Sequence, residues 1–320
     1  ANLINASVQE IALLGPTSLG LNLVALGLDW REGDEVIYYE DDYPANVYCW
    51  MELARRGVKP IALRTADLDA PGAITWDAVE PLLTDRTRLV SLASCHFMTG
   101  YRIDHAGIGR RLHERGILFC LDAIQTLGAQ PLDVEHVDFL AADAHKWLLG
   151  PSGAGLFYVA REQQDRLRPA VLGSWNVQSP NFIAQRRIDL HAGARRYEPG
   201  TFNCPGIAGM AASLGQLLDI GVDSIDRRLR ELHALIVDRL AALGFERYVP
   251  DPPDDARSPI VTLIHPSADL PRLHERLTDA DIAVSLRHDR AGTPLLRFSP
   301  HFYNTAEEVE RAAACLEGGM

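Results

Sequence analysis

The chain has 320 residues, 47% hydrophobic and 23% charged, enough apolar material for a large core and a second, smaller one. Its formal net charge is -12, from 43 acidic against 31 basic residues with no basic block, which argues against a nucleic-acid or anionic-membrane surface. The longest apolar runs fall short of a bilayer span and no charged-then-apolar leader opens the chain, so a soluble cytoplasmic protein is expected.

In chain order, "LLGPTSLGLNLVALGL" reads as a turn followed by an apolar helix that begins at Thr17 and Ser18. Strand-like runs follow in "EVIYYE", "LVSLAS", "ILFCLDA", "VDFLAAD" and "GLFYVA", with helix-like "YCWMELARRG" and "HAGIGRRLHERG" between several of them. This alternation predicts an α/β domain with a mainly parallel sheet, whose ligands gather at the carboxyl ends of the strands. From about Gly206 the pattern turns to long helices, "GIAGMAASLGQLLDI" and "SIDRRLRELHALIVDRLAALG". A compact α+β tail closes the chain with "IVTLIH", "LPRLHERLTDA", "IAVSL", "LLRFS" and a helix capped by Thr305 and Glu308. The expected division is a large domain over 1–221 and a smaller one over 222–320, joined through a long helix. Cys49, Cys95, Cys120, Cys204 and Cys315 are scattered without paired-ligand spacing, so reduced thiols are expected and no metal site.

Four features bear on chemistry. Asp122 closes "ILFCLD" with Gln125 three residues on; it is either a helix N-cap or a carboxylate placed to hold a positively charged ring nitrogen, with Gln125 in reach of a neighbouring ring oxygen. Lys146, in "ADAHKWLLGPSGAG", lies 24 positions beyond Asp122 with one strand between them, which in a parallel sheet brings both to one edge. An amine and a carboxylate meeting there suit pyridoxal phosphate (PLP), which has a carbonyl on one side and a basic nitrogen on the other. Thr17 and Ser18 are either simple helix caps or, with the free N–H groups and the helix dipole, an anion cradle. Arg297, inside the apolar strand "PLLRFS", is either half of a structural salt bridge or a bidentate grip on a ligand carboxylate.

Taken together, "LDAIQTLGAQPLDV…DFLAADAHKWLLGPSGAGLFYV" resembles the class V aminotransferase group of PLP-dependent enzymes, with its cysteine desulfurases, selenocysteine lyases, kynureninases and isopenicillin N epimerase. "GPTSLGLNLVALGLDWREGDEVIYYEDDYPANVYCW", "YEPGTFNCPGI" and "LLRFSPHFYNTAEEVERA" are similar to further blocks of that group in the same order. The resemblance implies fold type I: a PLP-binding domain with a mainly parallel sheet flanked by helices, a smaller C-terminal α+β domain, and a homodimer. It also implies that relatives carry a further segment ahead of the Thr17 turn.

Residue by residue, the resemblance makes Lys146 the Schiff-base lysine, Asp122 the partner of the pyridine nitrogen and Gln125 the contact to the ring hydroxyl. His145 becomes the neighbour that shapes the cofactor site, and Thr17 and Ser18 the phosphate turn. Thr201 corresponds to a residue that reaches the phosphate across the dimer interface, and Arg297 to the arginine that binds the substrate carboxylate.

The sequence departs from the group in several places. "SLRHDRAGTPLLR" lacks the nucleophilic cysteine of the desulfurases, which argues against a persulfide step through that loop. Asp143 stands where many members carry a phosphate-binding serine. Tyr43, in "EDDYPANVY", is a candidate replacement for their ring-stacking histidine or else a core or rim tyrosine. Cys95 and His96 carry no assignment. The implied activity is that of an aminotransferase or carbon–sulfur lyase acting on a small amino acid bound to the cofactor as a Schiff base. Desulfurase-like or selenocysteine lyase-like chemistry, epimerisation, and PLP binding without turnover are the alternatives.

Overall fold

The computed structural model describes residues 1–250 and 252–319. Its larger sheet contains β1 (Ile11–Leu14), β2 (Glu35–Tyr39), β3 (Lys59–Leu63), β4 (Thr87–Ala93), β5 (Leu118–Asp122), β6 (Phe139–Asp143) and β7 (Gly155–Val159). Their order across the sheet is β1-β7-β6-β5-β4-β2-β3. Parallel pairing joins β3, β2, β4, β5 and β6, while β7 runs antiparallel between β6 and β1. The sheet is thus mainly parallel with one reversed strand.

Burial explains the continuous apolar runs. Alternate residues of β5 enter two cores: Phe119 and Leu121 pack into one face, Leu118 and Cys120 into the other. A sheet covered on both sides needs apolar residues at nearly every position, which removes the period-two signal of a half-exposed strand. On one face α1 (Thr17–Gly27) packs against β6, and α2 (Ala45–Met51) packs beside α1. The close approach of α1 depends on Gly20, where an added Cβ would lie 2.7 Å from the Ala141 Cβ.

After α3 (Trp76–Val79) and α4 (His105–His113), the long helices α5 (Cys204–Ile220) and α6 (Val222–Ala241) meet at Gly221, whose φ is 84°. That angle suits glycine. Along α6, Ile225 and Leu229 belong to the core of the large sheet, whereas Leu232, Ile236 and Leu240 belong to a separate core. The second core lies under an antiparallel sheet of β8 (Glu246–Arg247), β9 (Val261–Ile264), β10 (Ser285–His288) and β11 (Pro294–Phe298), ordered β10-β11-β9-β8. It is completed by α7 (Leu270–Asp279) and α8 (Ala306–Glu317). Thr305 caps α8 with Glu308 in a reciprocal capping box, as its sequence predicts. Among the described residues no helix is long and apolar enough to cross a membrane.

Candidate active site

The strands that run parallel end on one edge of the large sheet, and the residues that follow them converge there. Pro16, Thr17 and Ser18 come after β1, Asp42 and Tyr43 after β2, Cys95 and Phe97 after β4, Ile124 and Gln125 after β5, and His145 and Lys146 after β6. With Asp122 and Asp143, the last residues of β5 and β6, they line a cavity of about 340 Å³ that Arg287 and Arg297 of the smaller sheet close from the other side. Eight of the nine residues marked in the sequence, all but Thr201, therefore share one cavity. Thr201 is exposed in the segment before α5 and lies outside that lining.

Asp122 is only 3% exposed. Its Oδ1 accepts from the Ile124 N–H at 2.9 Å and its Oδ2 from Asn46 Nδ2 at 2.7 Å. No helix follows it, so the N-cap alternative does not apply. Burial pushes its carboxyl up, while hydrogen bonds and the Lys146 ammonium pull the other way. Asp42 beside it is pushed up to about 7, first by burial and then by the charge of Asp122. A cationic group opposite Asp122 would reverse much of this, because it stabilises the ionised form.

Lys146 is half-buried, its Nζ 6.0 Å from the centre of the Tyr43 ring. Burial lowers its amine and the nearby Arg297 and Arg287 lower it further, against the opposing pull of Asp122 and Asp143. A lysine so placed is more readily available as a free, nucleophilic amine than one in water. Gln125 is buried and accepts from Trp147 Nε1 at 3.3 Å, which fixes the side chain beside the cavity.

At the other end, α1 starts at Thr17 without a side-chain cap. The first-turn N–H groups of a helix have no intrahelical partners, so this end suits an anion. The Thr17 hydroxyl already accepts from the Asp143 N–H at 2.9 Å. Asp143 itself is held by the Ala144 N–H at 3.0 Å and faces His145 Nδ1 at 3.2 Å. Its carboxylate is thus engaged with local partners at the position where a serine was expected.

Arg297 donates from Nη1 to the Phe97 carbonyl at 2.6 Å and from Nη2 to Ser285 Oγ at 3.4 Å. Among the described residues its buried Nε has no protein partner and no carboxylate pairs with the guanidinium, so the salt-bridge alternative fails. Burial and the neighbouring Arg287 lower its pKa to about 10, as expected for a cation lacking an anionic partner.

Tyr43 is 53% exposed, meets Phe97 edge-on with ring centres 5.6 Å apart, and so forms a rim rather than core. Cys95 lines the cavity, but burial pushes its thiol up to about 12. His96 turns away from the cavity: its Nε2 lies 3.0 Å from the Asp41 carbonyl and its Nδ1 2.9 Å from the Thr99 hydroxyl. Sequence reasoning did not single out Asp42, Asn46 and Arg287. The first two were accessible through the rule that ligands gather beyond strand ends, since "DDYPAN" follows "EVIYYE". Arg287 carries only a weak signal, two residues from Ser285 on the strand that opposes Arg297.

This donor set fits PLP. A buried carboxylate and a desolvated amine occupy adjacent strand ends, an open helix N-terminus suits a phosphate, and the buried Nε of Arg297 and Oδ1 of Asn46 lack protein partners among the described residues. Among the described residues no cluster of three or more metal-ligating side chains occurs.

Residues 1–312 match the family described as aminotransferase class-V. The chain is 30% identical to a probable cysteine desulfurase of Methanothermobacter thermautotrophicus over 99% of its own length and 81% of the relative's. It is 29% identical to an isopenicillin N epimerase of Streptomyces clavuligerus, covering 99% of this chain and 82% of that protein. Among solved structures, a cysteine desulfurase from Thermococcus onnurineus superposes with a TM-score of 0.89 at 26% identity, covering 99% of this chain and 81% of that one. The chain belongs to the class V aminotransferase family and is a PLP-dependent enzyme of fold type I.

Proposed function

We propose that the enzyme acts at the α-carbon of a small amino acid, as an aminotransferase or a carbon–sulfur lyase, with Lys146 as its catalytic base. The carrying observation is that Lys146 shares one cavity with Asp122 on the cofactor side and Arg297 on the substrate side. PLP, when bound, supplies an electron sink for the pair left when a substrate C–H bond breaks. Asp122, oriented by Asn46, keeps a proton on the ring nitrogen; Gln125 meets the ring hydroxyl; Thr17 and Ser18 hold the phosphate; and His145 and Tyr43 border the ring. Arg297 grips the substrate carboxylate and so fixes which bond faces Lys146. The lysine amine, whose pKa is lowered chiefly by burial, takes the α-proton in its neutral form.

A persulfide route is disfavoured. The β10–β11 hairpin holds no cysteine, and Cys95, the only cysteine lining the cavity, is kept protonated by burial. Epimerisation would need a second acid–base group on the opposite face of the substrate.

We further read the active form as a cytoplasmic homodimer with the domain boundary at 222. Val171, Leu172, Phe182, Ile183 and Ile188, all exposed on the segment that leads to Thr201, support a partner surface there. All five cysteines are free, in keeping with a reducing compartment.

Incubating the holoenzyme with a panel of amino acids while following the cofactor spectrum and the products tests the reaction. Pyridoxamine phosphate with a keto acid marks transamination, and pyruvate with sulfide from cysteine marks a lyase. If no amino acid alters the spectrum or yields a product, the assignment fails.

A further inference from the structure

The cavity holds one cation more than the reaction above employs. β10 and β11 pair antiparallel, with Ser285 opposite Arg297 and Arg287 opposite Leu295. Directly opposed residues share a face of the sheet, as do residues two apart on one strand. Ser285, Arg287 and Arg297 therefore project to the same side, and the two arginines are diagonal neighbours, roughly 7–8 Å apart at the backbone. Both line the cavity that contains Lys146.

Arg297 spends part of its guanidinium on Phe97 and Ser285. Among the described residues Arg287 makes no side-chain hydrogen bond or ion pair. The acids of the cavity are occupied elsewhere, Asp122 by Asn46 and Ile124, Asp143 by His145 and Ala144, and Asp42 by the Tyr43 N–H. Arg290, on the same hairpin, is bound to Asp41 and to the Glu40 carbonyl. That contact anchors the hairpin to the β2–α2 turn and leaves Arg287 at the cavity. Two like charges side by side without a counter-ion weaken a strand pair, and a ligand that brings two anionic groups relieves the repulsion. In a chain of net charge -12, such a mouth also gives dianions a local attraction that the rest of the surface lacks.

We propose that the substrate is a dicarboxylic amino acid, its α-carboxylate on Arg297 and its side-chain carboxylate on Arg287. This rests on the substrate role given to Arg297 above, and it makes Arg287 the residue that sets specificity.

The test is spectral titration of the holoenzyme with L-aspartate and L-glutamate against L-asparagine, L-glutamine and L-alanine, for the wild type, Arg287→Gln and Arg297→Gln. The wild type should bind at least one acid about tenfold or more tightly than its amide, the size expected for one charge-assisted pair. Arg287→Gln should erase that preference and leave alanine binding within about twofold, whereas Arg297→Gln should weaken every amino acid. A second readout avoids the amine altogether: glutarate should raise the melting temperature of wild-type holoenzyme more than butyrate does, and Arg287→Gln should remove the difference. Retained cofactor absorbance and an unchanged melting temperature without ligand show that the variant folds. If the wild type binds amino acids but favours no acid over its amide, or if Arg287→Gln weakens alanine and glutamate equally, the dicarboxylate proposal is overturned and the assignment of Lys146 and Arg297 stands. If no amino acid perturbs the spectrum, both fall.

Discussion

Asn46 donates from Nδ2 to Oδ2 of Asp122 at 2.7 Å, tying the first turn of α2 to the end of β5. Its other amide atom, Oδ1, is buried without a partner among the described residues, so the side chain is held through its donor end. Replacing Asn46 with Ala leaves the buried Asp122 carboxylate with the Ile124 backbone N–H as its remaining hydrogen-bond donor among the described residues. Losing a hydrogen bond to a buried charge costs on the order of 1–3 kcal/mol, and the carboxyl moves further toward its neutral form. A neutral acid holds a ring nitrogen less firmly than a carboxylate does. Asn46→Ala should therefore raise the dissociation constant for PLP by about tenfold or more, measured by equilibrium dialysis with absorbance. An unchanged constant would detach Asn46 from the cofactor site.

Lys146→Ala removes the only lysine of the cavity. Borohydride reduction of the wild-type holoenzyme should fix the cofactor covalently to the peptide that carries Lys146, detectable by mass spectrometry. The variant should bind PLP reversibly through Asp122 and the α1 N-terminus but give no labelled peptide. Label retained in Lys146→Ala would place the reactive amine elsewhere and defeat the proposed chemistry.

The sequence made the strand ends legible because a doubly covered sheet leaves long apolar runs, and Asp122 and Lys146 interrupt two of them or follow directly. Arg297 was legible for the same reason, as a charge inside "PLLRFS". Asn46 and Arg287 were not, because their importance lies in what faces them. Asn46 is 76 positions from Asp122, and Arg287 meets the site only because β10 folds back beside β11. Nor did the apolar run "GLFYVA" reveal that β7 is reversed, since a strand buried on both faces reads alike in either direction. Resemblance supplied the role of Thr201, which a single chain leaves outside the cavity.

Gly20 tests whether the cofactor cradle depends on helix placement. A methyl group there would gain about 1 kcal/mol in helix propensity. It would also lie 2.7 Å from the Ala141 Cβ and 3.3 Å from Phe157 Cδ2, both in the sheet and unable to yield cheaply. Overpacking of this kind typically costs about 1–3 kcal/mol, so Gly20→Ala should be destabilised on balance. α1 must tilt away from β6, shifting Thr17 and Ser18. The expected result is a lower melting temperature together with weaker PLP binding. A variant as stable as the wild type would mean that α1 has room to spare.

His96 predicts how the turn beside the site responds to acid. The Asp41 carbonyl can only accept, so His96 Nε2 carries the proton and Nδ1 accepts from Thr99. Burial lowers its pKa to about 4, against about 6.5 in an unfolded chain. Between those values the unfolded chain binds a proton that the folded one does not. Stability therefore falls as the pH drops through this window, by up to about 1.4 kcal/mol per pH unit for one such group. Above the window the contribution is flat. His96→Gln keeps an amide donor for Asp41 but has nothing to titrate. It should be somewhat less stable than the wild type near neutral pH, and the gap should narrow steadily below about pH 6.5 in urea unfolding of the holoenzyme. His233, also lowered to about 4, titrates equally in both proteins and cancels from the comparison. Parallel stability curves would show that His96 is not held neutral by the fold. A converging pair would identify protonation at His96 as one cause of acid loosening in the β2–α2 turn, which carries Asp42 and Tyr43 into the cavity.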